Sequence, residues 1–108
     1  MSVAYEARAK YIISRNKNMA VPYYLMASYA YYEQDDPIFS DSYYDEVAKF
    51  ILQNYDAIDH YHKHLISKDD LEAGSYLGAY PTIVKEALKD LQKKGWHFYK
   101  NAYIKSIS

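Results

Sequence analysis

The chain has 108 residues and a formal net charge of -1, with 14 acidic and 13 basic side chains. That length suits one domain and excludes two. The absence of cysteine excludes disulfides, thiolate metal sites and a cysteine nucleophile. Half of the residues count as hydrophobic, yet fifteen of them are tyrosine. More than a quarter of the apolar share is therefore one residue type that carries a hydroxyl. The core is expected to be partly tyrosine, and the tyrosines are either a packing device or a binding surface.

No apolar run approaches the ~20 residues of a membrane span, so no membrane partner is expected. The start, Met1-Ser2-Val3-Ala4-Tyr5-Glu6, lacks the basic and apolar regions of a signal peptide. A reducing, cytoplasmic location fits the missing cysteines. Balanced charge makes direct nucleic-acid binding an unexpected role.

The whole chain reads as helix, so the expected class is all-α. The three glycines and three prolines fall mostly between periodic segments. A first helix begins after Ser2, with Val3, Ala7, Tyr11 and Ser14 on its expected inner face. Asn16-Lys17-Asn18 punctuates it. Pro22 suits the first turn of a second helix reaching about Gln34. Leu25, Ser28, Tyr29 and Tyr32 mark one face, and Tyr24, Ala27 and Tyr31 an adjacent one. Asp35-Asp36-Pro37 stops that helix. Ser40 or Asp41 caps a third, whose inner positions are Val47, Ile51, Tyr55, Ile58, His62 and Leu65. The pattern admits either one helix through His64 or a break near Asn54-Tyr55-Asp56. Ser67-Lys68-Asp69-Asp70 resembles a capping box, and Gly74 ends the short helix it opens. Pro81 starts a further helix with Ile83, Val84, Ala87, Leu88 and Leu91 on an apolar face, closed by Gly95. The tail carries Trp96, Tyr99, Tyr103 and Ile107 at helical spacing.

The densest chemistry lies at the junction of the second and third helices. Tyr31 and Tyr32 end one helix, and Asp41, Tyr44 and Asp45 begin the next. Asp41 and Asp45 are one turn apart, so both carboxylates share a face. Aromatic faces attract a flat cation, and carboxylates accept hydrogen bonds from ribose hydroxyls.

This stretch resembles the N-terminal Ia domain of bacterial NAD-dependent DNA ligases. The resemblance rests on Tyr31, Pro37, Asp41, Tyr44 and Asp45 and covers residues 20–55 or so. It implies a helix-loop-helix that binds NAD through its nicotinamide mononucleotide half. Tyr31 and Tyr44 would then pack near the nicotinamide ring, and Asp41 and Asp45 would hydrogen-bond the nucleotide. Where the family usually has histidine, this chain has Tyr32. The remainder of the chain looks more distantly like small bacteriophage proteins labelled ligase-like, and added helices are expected over about 67–108. Its cues include Asp59-His60-Tyr61-His62 and Tyr80-Pro81.

Ligation also needs an adenylate-accepting lysine in Lys-x-Asp-Gly, and no such motif occurs. The chain is therefore not expected to seal nicks alone. An accessory role beside a separate adenylation subunit is the first functional expectation. A helical protein-interaction module that kept the fold without the ligand is the alternative. Two other groupings are less specific. Asp56, His60 and His64 would line one helix face, but a single face rarely completes a metal site. The basic-aromatic tail from Lys93 to Lys105 reads as a snorkelling surface helix before it reads as a nucleic-acid site.

Overall fold

The computed structural model describes residues 3–74, 76, 78–90 and 92. Among them there are helices and turns and no strand. The helices are α1 (Val3–Arg15), α2 (Ala20–Tyr32), α3 (Asp41–Gln53), α4 (Lys68–Ala73) and α5 (82–90). Short 3-10 turns at Lys17–Met19 and Lys63–Leu65 join some of them. The expected closing residues of α5 and the tail, from Gly95 onward, lie outside the described residues.

α2 is the centre of the fold. Nine of its thirteen residues are buried, from Ala20 to Ala30, on every side of the helix. A helix that is apolar all round has to be enclosed by neighbours. Here α1 and α3 pack against it, and α4 packs on α3. Pro22 sits at the third helical position, where its missing N–H belongs to the unpaired first turn. Asn16 opens the preceding turn by accepting a hydrogen bond from the Asn18 N–H.

α1 turns a different face inward than the periodicity suggests. Ala9 and Ile13 are buried and Tyr5 and Ile12 partly so, whereas Tyr11 is 60% exposed. The phenol explains the change. Tyr11 lies under the Arg15 guanidinium, 5.0 Å from ring centroid to Cζ, and its hydroxyl accepts a bond from Arg15 Nη2 at 2.9 Å. Such a ring is stable in water in a way that leucine would not be.

The 33–40 connection is short and partly internal. Asp35 takes a left-handed φ of 51°, which Asp tolerates better than most residues, and Asp36 N–H returns to the Ala30 carbonyl. Ile38 and Phe39 then plug the core, with Phe39 edge-on to Tyr43 and stacked against Tyr23. Ser40 caps α3 by accepting from the Tyr43 N–H at 3.2 Å. Its own N–H donates to the Glu6 carboxylate on α1.

α3 stops at Gln53, so the break near Asn54 is the form adopted. Asn54 Nδ2 donates to the Phe50 carbonyl at 2.8 Å, a local bond that competes with helix propagation. The 54–62 segment is held by Lys63, whose ammonium donates to the carbonyls of Tyr55 and Ile58, both at 2.9 Å. Lys63 and Lys68 also stand over the Tyr55 ring, and the Tyr55 hydroxyl donates to Ile66 O. The capping box forms as expected between Ser67 and Asp70, and Gly74 ends α4 at φ 71°. On α5, Val84 and Leu88 are buried, but Ile83 is 67% exposed and Ala87 is exposed too.

Two substitutions check this packing. A Cβ on Gly78 would stand 2.8 Å from Cζ of Tyr76, a fully enclosed ring. Gly78→Ala is expected to lower unfolding free energy by about 1–3 kcal/mol, as overpacking does. Lys63→Met removes two charge-assisted bonds and is expected to lose about 1.5–3 kcal/mol. Urea denaturation followed by circular dichroism reads both.

Candidate functional site

The predicted site residues come from two helix termini that the 33–40 loop brings together. Tyr31 and Tyr44 face each other nearly parallel, with ring centroids 6.3 Å apart and planes 14° from parallel. Tyr32 meets Tyr31 edge-on at 4.9 Å. Tyr31 and Tyr32 are 43% and 36% exposed, so both present ring surface to solvent. Asp41 and Asp45 are exposed on the first two turns of α3. Asp45 holds Lys49 at 2.9 Å in an exposed ion pair, which raises the Lys49 pKa. Asp45 also lies beside Gly74 at the end of α4, where a Cβ would be 3.7 Å from Oδ1.

Tyr44 is more deeply set than its neighbours. Its hydroxyl donates to Ser28 Oγ at 2.6 Å, and Ser28 in turn donates to the Tyr24 carbonyl at 2.8 Å. This relay fixes the ring as a floor rather than a free hydrogen-bonding arm. Below it lies Tyr24, stacked at 5.0 Å and wholly buried. The Tyr24 hydroxyl makes no hydrogen bond of proper geometry, although the Tyr44 hydroxyl is close enough to influence it. Tyr24 is edge-on to Tyr76, Tyr76 to Tyr80, and Tyr80 to Tyr29. Seven tyrosines, from Tyr32 to Tyr29, thus form one continuous ladder.

Burial pushes the phenol pKa values of Tyr24, Tyr44, Tyr76 and Tyr80 upward, because the phenolate would be desolvated. Asp70 adds repulsion at Tyr24, Tyr44 and Tyr76, so its carboxylate belongs to the surroundings of the ladder. Tyr43, on the other side of α3, is pushed up to about 12, chiefly by burial.

Sequence reasoning found the exposed rungs and missed the buried Tyr24 and Tyr76, the half-buried Tyr80, and the buried Ser28 that holds Tyr44. A usable signal was present. Tyr24, Ser28 and Tyr31 repeat at i, i+4 and i+7, a single helical stripe. Assigning Tyr24 and Ser28 to adjacent faces concealed it.

The histidine row does not form. Asp56 and His60 lie in the irregular segment after α3, and His64 in the following 3-10 turn, so no helix face unites them. His60 instead pairs with His62: its Nδ1 accepts from the His62 N–H at 3.1 Å, and the rings are 5.7 Å apart. Burial, then the neighbouring His62, lowers the His60 pKa. Both histidines border a small cavity of about 150 Å³ with Met26 and Val84. No group of three or more metal-ligating side chains occurs among the described residues.

Comparison with known proteins gives no match to a family model, a curated protein or a solved structure.

The relay and the ladder each make a testable claim. Ser28→Ala leaves the Tyr44 hydroxyl without its acceptor and is expected to cost about 1–3 kcal/mol of stability. Adding Tyr44→Phe should restore part of that loss, a coupling that a double-mutant cycle measures. The pH dependence follows from the raised pKa values. An unfolded tyrosine ionises near its ordinary value of 10.0, before the folded Tyr24, Tyr43 or Tyr80 does. Their stabilisation is complete below that pH and is lost as pH rises through the folded values. Stability is expected to fall above about pH 10, by up to ~1.4 kcal/mol per pH unit for each such tyrosine. Tyrosinate absorbance should rise together with loss of the helical signal.

Proposed function

We propose that this chain binds a nicotinamide nucleotide, NAD or nicotinamide mononucleotide, at the junction of α2 and α3. The observation that carries this reading is the near-parallel Tyr31–Tyr44 pair beside two exposed carboxylates on one face of α3. A pyridinium ring is flat and cationic, and it gains from the negative face of Tyr31. Tyr44 serves as the fixed floor because its hydroxyl is already committed to Ser28. Asp41 and Asp45 accept from the ribose hydroxyls, Asp45 by exchanging its exposed partner Lys49. Tyr32 stands where the ligase Ia pattern has histidine, and it offers an aromatic edge and one hydroxyl in its place.

The role that fits is accessory. The chain has no Lys-x-Asp-Gly sequence to take the adenylate. It would present the nucleotide to a separate ligase or adenylation subunit, in the cytoplasm of a host cell if the source is a bacteriophage. A second reading, a helical protein-interaction module, is favoured by Ile83 and Tyr61, large exposed side chains away from this site.

Titration of the isotope-labelled protein with nicotinamide mononucleotide distinguishes them. Saturable amide shifts are expected at Tyr31, Tyr32 and Tyr44. Asp41→Ala should weaken binding about tenfold, the worth of a charge-assisted hydrogen bond. Absence of shifts at millimolar nucleotide rejects the nucleotide site and leaves the interaction module.

A further inference from the structure

We infer that the groove between α1 and α3 is a separate ligand site for an organic polyphosphate with one flat apolar group, of mononucleotide size. The groove has a volume of about 700 Å³, inside the roughly 300–1,000 Å³ typical of small-molecule sites. Its floor is apolar: Ile13 from α1, with Tyr43, Val47 and Phe50 from α3. Positions 43, 47 and 50 repeat at helical spacing, so one face of α3 forms a continuous wall.

The rim is cationic. Lys10, Arg15, Lys17 and Lys49 line the groove against a single acid, Glu46. Lys49 is paired with Asp45, so three cations without a carboxylate partner among the described residues face one anion, a local concentration of positive potential in a chain with a net charge of -1. The cations keep donors free. Lys10 rests 5.0 Å over the Tyr43 ring, a contact with a face that uses no N–H. Arg15 gives one amine to Tyr11 and retains the others. Lys17 pairs with no carboxylate among the described residues. Lys49 holds only the exposed Asp45.

The floor narrows the choice of ligand. Tyr43 is almost fully covered, with Lys10 on its face and Phe39 at 4.7 Å, so it offers no stacking surface. Phe50 is half-buried and is the one ring left partly open along this wall. One open ring suits one base, whereas single strands need successive aromatic platforms. The site is distinct from the α2–α3 junction. At 100° per residue, Tyr43 and Phe50 lie across α3 from Asp41.

The test is a titration of the isotope-labelled protein at low salt with metal-free ATP, inorganic tripolyphosphate and oligothymidylate in parallel. ATP should give saturable shifts at Arg15 and Lys17 on the rim and at Val47 and Phe50 on the floor. Tripolyphosphate should bind more weakly and move the rim alone. Lys17→Glu, an exposed change that leaves the helices intact, should weaken ATP about tenfold. Glu46→Gln should tighten it severalfold, and Asp41→Ala should leave it unchanged, which separates this site from the nicotinamide site. Equal binding of tripolyphosphate and ATP with Phe50 unmoved reduces the groove to a charged patch and overturns the inference. So does tighter binding of oligothymidylate than of ATP, or an unsaturated response to millimolar ATP.

Discussion

The stacking of Tyr24 on Tyr44, locked by the Ser28 relay, is the contact on which the rest of the structure depends. α2 brings Tyr24 and Ser28, and α3 brings Tyr44. The pair therefore sets both the distance and the rotation between two consecutive helices at the centre of the fold. A purely aliphatic seam would tolerate sliding by a turn. A hydroxyl that must reach Ser28 does not, because a buried unpaired phenol costs about 1–3 kcal/mol. The same contact fixes Tyr31 over Tyr44, so core packing and the geometry of the exposed rings are one arrangement.

This arrangement accounts for the tyrosine surplus in physical terms. Leucine, isoleucine, valine and phenylalanine are scarce, and rings supply the missing apolar area. Each ring then needs an end for its hydroxyl. Tyr44 ends on Ser28, Tyr55 on the Ile66 carbonyl, Tyr76 on Ala79 and Tyr80 on Tyr76. The Tyr11 hydroxyl ends on Arg15, and that of Tyr61 in solvent. Among the described residues, Tyr24 alone is buried without a well-formed partner. It sits where Tyr44 of α3 and Tyr76 meet α2.

Much of the fold was legible because local chemistry determined it. Ser40, the Ser67–Asp70 box and Gly74 set helix ends through backbone hydrogen bonds that need no distant partner. The helix-loop-helix was readable for the same reason. The inner face of α1 was not. Tyrosine satisfies either environment, and the Arg15 partner that holds Tyr11 outside is visible only once both are placed on one helix. The histidine row failed for a related cause: Asn54 ends α3 by a side-chain bond that periodicity does not register.

The candidate site divides along the same line. Tyr31, Tyr32, Asp41, Tyr44 and Asp45 were picked out from helix ends and their spacing, and of these Tyr31, Tyr32 and Tyr44 meet. The rings beyond Tyr44 and Tyr24 were not picked out, since Tyr76 and Tyr80 come more than thirty residues downstream of Tyr44. Nor was the groove on the other side of α3, where Lys10, Arg15 and Lys17 from one segment meet Lys49 from another. In the linear chain those cations are diluted by acids of equal number. Helix α3 sorts them, with Asp41 and Asp45 at one side and Tyr43 and Phe50 at the other. One helix thereby carries acids on one face and a basic, apolar groove on another, with the Lys49–Asp45 ion pair between them. A balanced net charge conceals that separation, because it sums two opposite local fields to nearly zero.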